Sequence, residues 1–355
     1  MNRSNGPRRG VATIRDVARL AAVSVASVSN ALNDPERVSP ALRARVTSAV
    51  EALGYLPHAA ARNLRRRSSN LLGLLVADIT NPFFTEMIRA IETVASAAGY
   101  SVLLGNCDET PAREEAHLTV LRAHRVGGIL LAPTGLASAR RTALLAATRT
   151  PIVLVDRALD GLGLDTIVLD NHLAARLAVD HLVALGHRRI ALITGPATVA
   201  TGAERLSGYR DALAQHGLGF DADLVRDAGF REAAAYQAST DLLARAEPPS
   251  AVLAANNLMT LGLMRALADL GRRCPGDVSV VAIDDLIWSS AFHPRLTTVA
   301  QPVEQMGRRA IGRLLDRISG RIDGPGETFR LPPELIVRES TAAPAALPPG
   351  RSTLH

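Results

Sequence analysis

The chain has 355 residues, 47% of them hydrophobic, which is long enough for two or three domains and apolar enough for a substantial interior. All 40 basic side chains are arginine, and a chain without lysine excludes Schiff-base catalysis, pyridoxal phosphate attachment and an ordinary P-loop, so no cofactor is expected. The two cysteines, Cys107 and Cys274, lie far apart without CxxC spacing, so they are expected as buried free thiols, with no disulfide framework and no zinc site.

Residues 1–67 hold 12 arginines against four acidic residues, a net of +8; the whole chain is +6, which leaves −2 for residues 68–355. Excess positive charge confined to one end is what contact with phosphate requires. The opening MNRSNGPRRG lacks the apolar core of a secretory signal, and no apolar run approaches the ~20 residues that span a bilayer. Residues 1–12 are therefore expected as a disordered arm of a cytoplasmic protein.

Residues 13–57 read as an all-α headpiece. Thr13 caps a first helix on which Ile14, Val17, Ala18 and Ala21 recur at helical spacing. Ala22-Val23-Ser24 makes a turn, and Ser24 caps a second helix that turns Val28 and Leu32 inward. Val25, Ala26, Ser27, Ser29 and Asn30 are left outside. Small and hydroxyl-bearing residues on an exposed face suit a helix that must lie in a DNA major groove without clashing. Ser39-Pro40 starts a third helix, with its stripe at Leu42, Val46, Ala49, Val50 and Leu53, and Gly54 ends it. Residues 58–68 are basic, Ala-rich and nearly without apolar side chains, so they are expected as a hinge helix that folds only on DNA. Leu64, the exception, is either incidental or a wedge for the minor groove.

From Leu71 short apolar runs (LLGLLVADI, YSVLLGN, GGILLAP, PIVLVD, RIALITG, AVLAAN, VSVVAID) alternate with helix-period stretches. That pattern indicates parallel sheets covered on both faces, in an α/β core at 70–340 made of two doubly wound lobes. The first lobe takes about 70–168 plus 300–322, and the second about 169–298 plus 325–340. Ligands of such sheets bind at the carboxyl ends of the strands, here in a cleft between the lobes. Residues 341–355, rich in Pro and Ala, are expected as a disordered tail. Two other classes share parts of this pattern. For an enzyme the chain offers no GxSxG, GxGxxG or HExxH, and His117/His124 and His181/His187 lack metal spacing, so no metal is expected. A periplasmic sugar-binding protein has the same two lobes, but neither the basic headpiece nor the missing signal suits it.

The order of parts from residue 13 to about 340 resembles the LacI/GalR family of bacterial transcription regulators. TIRDVARLAAVSVASVSNALN is similar to the family's headpiece and YLPHAAARNL to its hinge helix. ITNPFF, VDR, LVALGHRRIALITGP, ERLSGY, VSVVAIDD and LTTVAQP are similar to its core motifs. The resemblance implies a nucleoid-associated homodimer that represses at a palindromic operator under control of a small-molecule effector, a sugar or sugar derivative, in the cleft. Carried over by position, Val25, Ala26 and Asn30 would read bases. Thr13, Ser24, Ser27, Ser29, Asn33 and Ser39 would contact phosphates, and Leu64 would be the wedge. Asn30 departs from the family's more frequent Arg, and an Asn prefers adenine where an Arg fork reads guanine. For the effector the matching positions are Asp156, Arg205, Asn256 and Asp284, walled by Phe83, Phe84 and Phe230. Carboxylates and an Arg fork suit sugar hydroxyls, and a flat aromatic face suits the C–H side of the ring. Asn256-Asn257 replaces the family's usual Asn-Asp, and Asp156 has Arg157 beside it as an alternative partner. Val199 stands where purine-responsive members carry Arg, which argues against a purine.

Overall fold

The computed structural model describes residues 12–55, 70–135, 139–146, 150–159, 161–291 and 293–345. The expected arm, the hinge helix with Leu64 and the end of the tail lie outside these residues, as does the side chain of Asn33. The chain divides into two units, residues 1–69 and 70–355.

In the first unit, α1 (Ile14–Leu20), α2 (Val25–Asn33) and α3 (Pro40–Leu53) enclose a small core of Val17, Ala18, Ala21, Val28, Ala31, Val46, Ala49 and Tyr55. Each helix starts on a hydroxyl. Thr13 and Asp16 form a capping box, Ser24 Oγ accepts the Ser27 N–H at 3.0 Å, and Ser39 Oγ accepts the Leu42 N–H at 3.3 Å. The α1–α2 turn needs a left-handed residue, and Ala22 supplies it at φ +50°. Arg45 of α3 holds that turn by donating to the carbonyls of Ala21 and Ala22 at 2.6 and 3.0 Å.

The second unit contains two six-stranded sheets. The first is built from β1 (Leu71–Val76), β2 (Ser101–Asn106), β3 (Gly128–Leu131), β4 (Ile152–Val155), β5 (Asp165–Leu169) and β11 (Thr328–Leu331), in the order β11-β5-β4-β3-β1-β2. The second is built from β6 (Ile190–Thr194), β7 (Val225–Asp227), β8 (Ala251–Ala254), β9 (Ser279–Ile283), β10 (Thr297–Ala300) and β12 (Glu334–Ile336), in the order β12-β10-β9-β8-β6-β7. All pairings are parallel except that of β12 with β10.

The strands are apolar at nearly every position because both faces are covered. In the first lobe Leu72, Leu74 and Val76 pack under α4 (Pro82–Ala97) and α11 (Val303–Ile318). Leu75, Ile129 and Leu131 pack under α5 (Pro111–Ala123) and α6 (Ala139–Ala146). The second lobe is wrapped by α7 (Asn171–Ala184), α8 (Ala200–Gln215), α9 (Glu232–Leu243) and α10 (Asn257–Asp269). The chain crosses between lobes after β5, after β10 and between β11 and β12.

Two expectations need correction. Residues 325–340 are not all in the second lobe: β11 pairs with β5 in the first sheet, and only β12 returns to the second. The tail is not free from residue 341. Thr341 Oγ1 meets His181 Nε2 at 2.9 Å, the Ala342 carbonyl lies 2.9 Å from His187 Nε2, and the Ala342 N–H donates to Ser279 Oγ at 3.0 Å. Backbone atoms make most of this attachment, so a Pro- and Ala-rich composition conceals it. Cys107 is buried and Cys274 half-buried, both unpaired. Among the described residues, no helix is long and apolar enough to cross a membrane.

Candidate functional site

The headpiece presents α2 as an exposed face of small side chains. Val28 is fully buried, whereas Val25, at 42% exposure, Ala26 and Asn30 face outward, with Ser27 and Ser29 half-buried beside them. Ser24 Oγ and Ser27 Oγ lie 2.8 Å apart. Thr13, Ser24 and Ser39 occupy the caps of all three helices, where free backbone N–H groups and the helix dipole attract anions. The Thr13 hydroxyl is already engaged, donating to Asp16 Oδ2 at 2.6 Å.

In the core, all seven sequence-predicted effector residues line one cleft at the carboxyl ends of the strands. Phe83 and Phe84 come from the first turn of α4, and Asp156 follows β4. Arg205 lies on α8, Phe230 follows β7, Asn256 caps α10 and Asp284 follows β9. Asn81, Arg157, Thr201 and Gln301 line it too; none was among the expected effector residues, and Arg157 was weighed only as a partner of Asp156. Signals existed for two of them: Arg157 adjoins Asp156, and Thr201 lies one helical turn before Arg205. The space left between the walls is about 20 Å³, room for about one water. In this closed form the cleft has no room for a molecule larger than a water.

The polar groups of the cleft are tightly engaged. Arg157 grips both oxygens of Glu109 at 2.6 and 2.7 Å, donates to the Pro133 carbonyl at 3.1 Å, and keeps Nε 3.2 Å from Asp156 Oδ2. Its guanidinium lies 5.0 Å from the centre of the Phe230 ring on the other lobe. Phe230 fits only because Gly195 is a glycine: a Cβ there would fall 2.0 Å from the ring. Arg205, 3% exposed, donates through Nε to Asn171 Oδ1 at 2.8 Å and through Nη1 to the Ala255 carbonyl.

Burial pushes the Asp156 carboxyl up to about 6, although Arg157 and Arg205 pull the other way; burial likewise lowers Arg205. Asp284 accepts from the Gln301 amide on one oxygen at 2.5 Å, and from the Asn257 amide and backbone N–H on the other at 3.0 and 3.2 Å. With both amide nitrogens turned to the carboxylate, the carbonyl ends Gln301 Oε1 and Asn257 Oδ1 are buried without a hydrogen-bond partner. Asp156, Phe230 and Asp284 all hold left-handed backbone, at φ +67°, +60° and +85°. Three such residues in one cleft mark a site whose geometry is imposed by its surroundings. At the rim, Arg231 of the second lobe pairs with Asp78 at 3.0 Å and Asp108 at 2.8 Å of the first. Among the described residues no cluster of His, Cys, Asp and Glu is placed to hold a metal.

A headpiece presenting one small-residue helix, joined in one chain to a two-lobed core with a polar, aromatic-walled cleft, defines a ligand-responsive DNA-binding protein. Residues 13–58 match the model of the bacterial regulatory proteins of the lacI family, and residues 179–341 match a periplasmic binding protein-like domain. The chain is 37% identical over 335 residues to the HTH-type transcriptional regulator GalR of Salmonella typhimurium, covering 94% of this chain and 97% of that protein. A Lac repressor dimer bound to operator and the anti-inducer ONPF superposes with a TM-score of 0.81 at 30% identity, over 94% of this chain and 100% of the other. A transcriptional regulator CelR–cellobiose complex superposes with a TM-score of 0.71 at 33% identity, over 93% and 99%. The chain belongs to the LacI family of bacterial regulatory proteins. It is a DNA-binding transcription regulator, not an enzyme.

Proposed function

We propose that this regulator represses transcription in the bacterial cytoplasm, at the nucleoid, as a homodimer on a palindromic operator, and that a neutral carbohydrate in the cleft changes its affinity for DNA. In this reading Val25, Ala26 and Asn30 read bases, and Thr13, Ser24, Ser27, Ser29, Asn33 and Ser39 meet phosphates. Leu64 enters the minor groove, and the hinge at 58–68 orders beside it. The dimer is supported by the Lac repressor relative, which is a dimer on its operator.

The observation that carries the effector reading is the chemistry of the closed cleft. Asp156, Arg205, Asn256 and Asp284 are buried between the rings of Phe83, Phe84 and Phe230, with the orphan acceptor Gln301 Oε1 beside them. A ligand rich in hydroxyls offers the donors that such acceptors lack, and its C–H faces pack on rings. The charge balance points to a neutral one. Three carboxylates, Glu109, Asp156 and Asp284, face two guanidiniums, Arg157 and Arg205, which leaves the cluster with an excess of one negative charge. A phosphate ester or sugar acid would add to that excess.

The test is a thermal-shift and calorimetric panel on the full chain with galactose, cellobiose, their phosphorylated or oxidised forms, and nucleosides. One neutral saccharide is expected to stabilise the core by about 2–3 kcal/mol at 100-fold excess over its Kd, and Arg205→Ala to abolish the effect. Stabilisation by a nucleoside or a sugar phosphate alone would overturn the neutral-carbohydrate reading.

A further inference from the structure

The cleft contains one hydrogen bond whose two ends belong to different lobes and whose direction is fixed at both ends. Asn257, 1% exposed, begins α10 of the second lobe, and its Nδ2 donates to Asn81 Oδ1 of the first lobe at 2.7 Å. The same nitrogen donates to Asp284 Oδ2 at 3.0 Å. A carboxylate only accepts, so it forces the Asn257 amide to present its nitrogen. Asn81 is fixed independently: its Oδ1 accepts the Phe83 N–H at 2.9 Å as the cap of α4, so it presents oxygen to Asn257. Neither amide can flip without breaking a bond within its own lobe.

We infer that Asn257 is a positioning residue that latches the cleft, tying the carboxylate of Asp284 to the opposite lobe through Asn81. Closure then completes a chain running from Asn81 through Asn257 and Asp284 to Gln301, which sits on the segment crossing back to the first lobe. Every donor in this chain is a neutral amide, so the latch itself adds no charge to the cleft beyond that of Asp284. Separation of the lobes trades this bond for one to water, so the latch contributes the net energy of one hydrogen bond to the closed form. As a consequence, which rests on the cleft being the effector site, loss of the latch lowers the population competent to hold a ligand.

The test is hydrogen exchange read by mass spectrometry on the full chain, comparing peptides that cover residues 78–90 of the first lobe with 254–262 and 279–286 of the second. Asn257→Asp sets an acceptor against acceptors on both sides, and Asn257→Ala removes the donor without adding charge. Each is expected to speed exchange in all three regions by about fivefold to tenfold. Asn81→Asp keeps an acceptor at position 81 and is expected to retain protection. Faster exchange confined to 254–262 and 279–286 would show a role internal to the second lobe and overturn the latch. Opening by Asn81→Asp as large as that by Asn257→Asp would overturn its polarity. No effector is needed, so this experiment and the saccharide panel fail separately.

Discussion

Asp156 is a carboxyl held almost fully inside the protein beside two arginines, and its titration is the cleft's most accessible signature. Its pKa is raised from 3.8 to about 6, so between those values the folded chain binds more protons than the unfolded one. The associated stability is fully present below about 3.8 and is lost as pH rises through about 6. Asp156→Asn is therefore expected to flatten this loss and to raise core stability at pH 7.5 by roughly 1–3 kcal/mol, measured by urea unfolding across pH. An unchanged pH profile would show that Asp156 is already ionised near its ordinary value. Arg205→Lys keeps the charge but loses the fork that reaches Asn171 and Ala255, and is expected to weaken effector binding at least about tenfold by calorimetry. On α2, Asn30→Arg is expected to move the preferred base from adenine to guanine at one position of each half-site, a discrimination of about 1–3 kcal/mol read by operator selection. An unchanged preferred site would remove Asn30 from the base-reading set.

The residues of the cleft were legible because motifs mark them, but their partners were not. Glu109 reaches Arg157 across 48 positions, and Gln301 reaches Asp284 across 17. Only the folded chain brings such pairs together, so the sequence reading weighed Arg157 as the partner of Asp156 alone and missed that both oxygens of Asp284 are taken.

At the scale of elements, the three helices of the headpiece were legible because caps, apolar spacing and turn residues agree within about 45 residues, whereas the hold of Arg45 on the α1–α2 turn and the place of Tyr55 in the core were not. Arg45→Ala is expected to lower the melting of the headpiece by about 1 kcal/mol, through loss of its bonds to the α1–α2 turn, while leaving the core transition unchanged. A matching shift of the core transition would contradict the division of the chain into two units. The core's apolar runs announced most strands, but β5 opens on Asp165, which obscured it. That carboxylate is buried under Arg313 and Arg317 of α11 at 3.0 and 2.6 Å, a cover from 148 and 152 positions away. The strands β11 and β12 sit two residues apart yet join different sheets, and no local pattern encodes that choice.

At the scale of the whole molecule, the proposed regulation works through closure of the lobes. Arg231 spans them with two ion pairs, Asn257 with a hydrogen bond to Asn81 and Arg157 with its contact to Phe230. The Arg231 side chain is 41% exposed, so its pairs are screened, and Arg231→Ala is expected to weaken effector affinity only severalfold and to reduce the salt dependence of that affinity. If cleft occupancy and DNA affinity are linked, each changes the other by the same factor. The most direct measurement is fluorescence anisotropy of a palindromic operator, selected from a random library, at two salt concentrations, with and without the saccharide identified by the panel. We expect tight, salt-sensitive binding whose Kd changes about fivefold or more with the saccharide in the native chain and not in Arg205→Ala. Salt-sensitive operator binding indifferent to any ligand that the cleft demonstrably holds would contradict the linkage of cleft to headpiece.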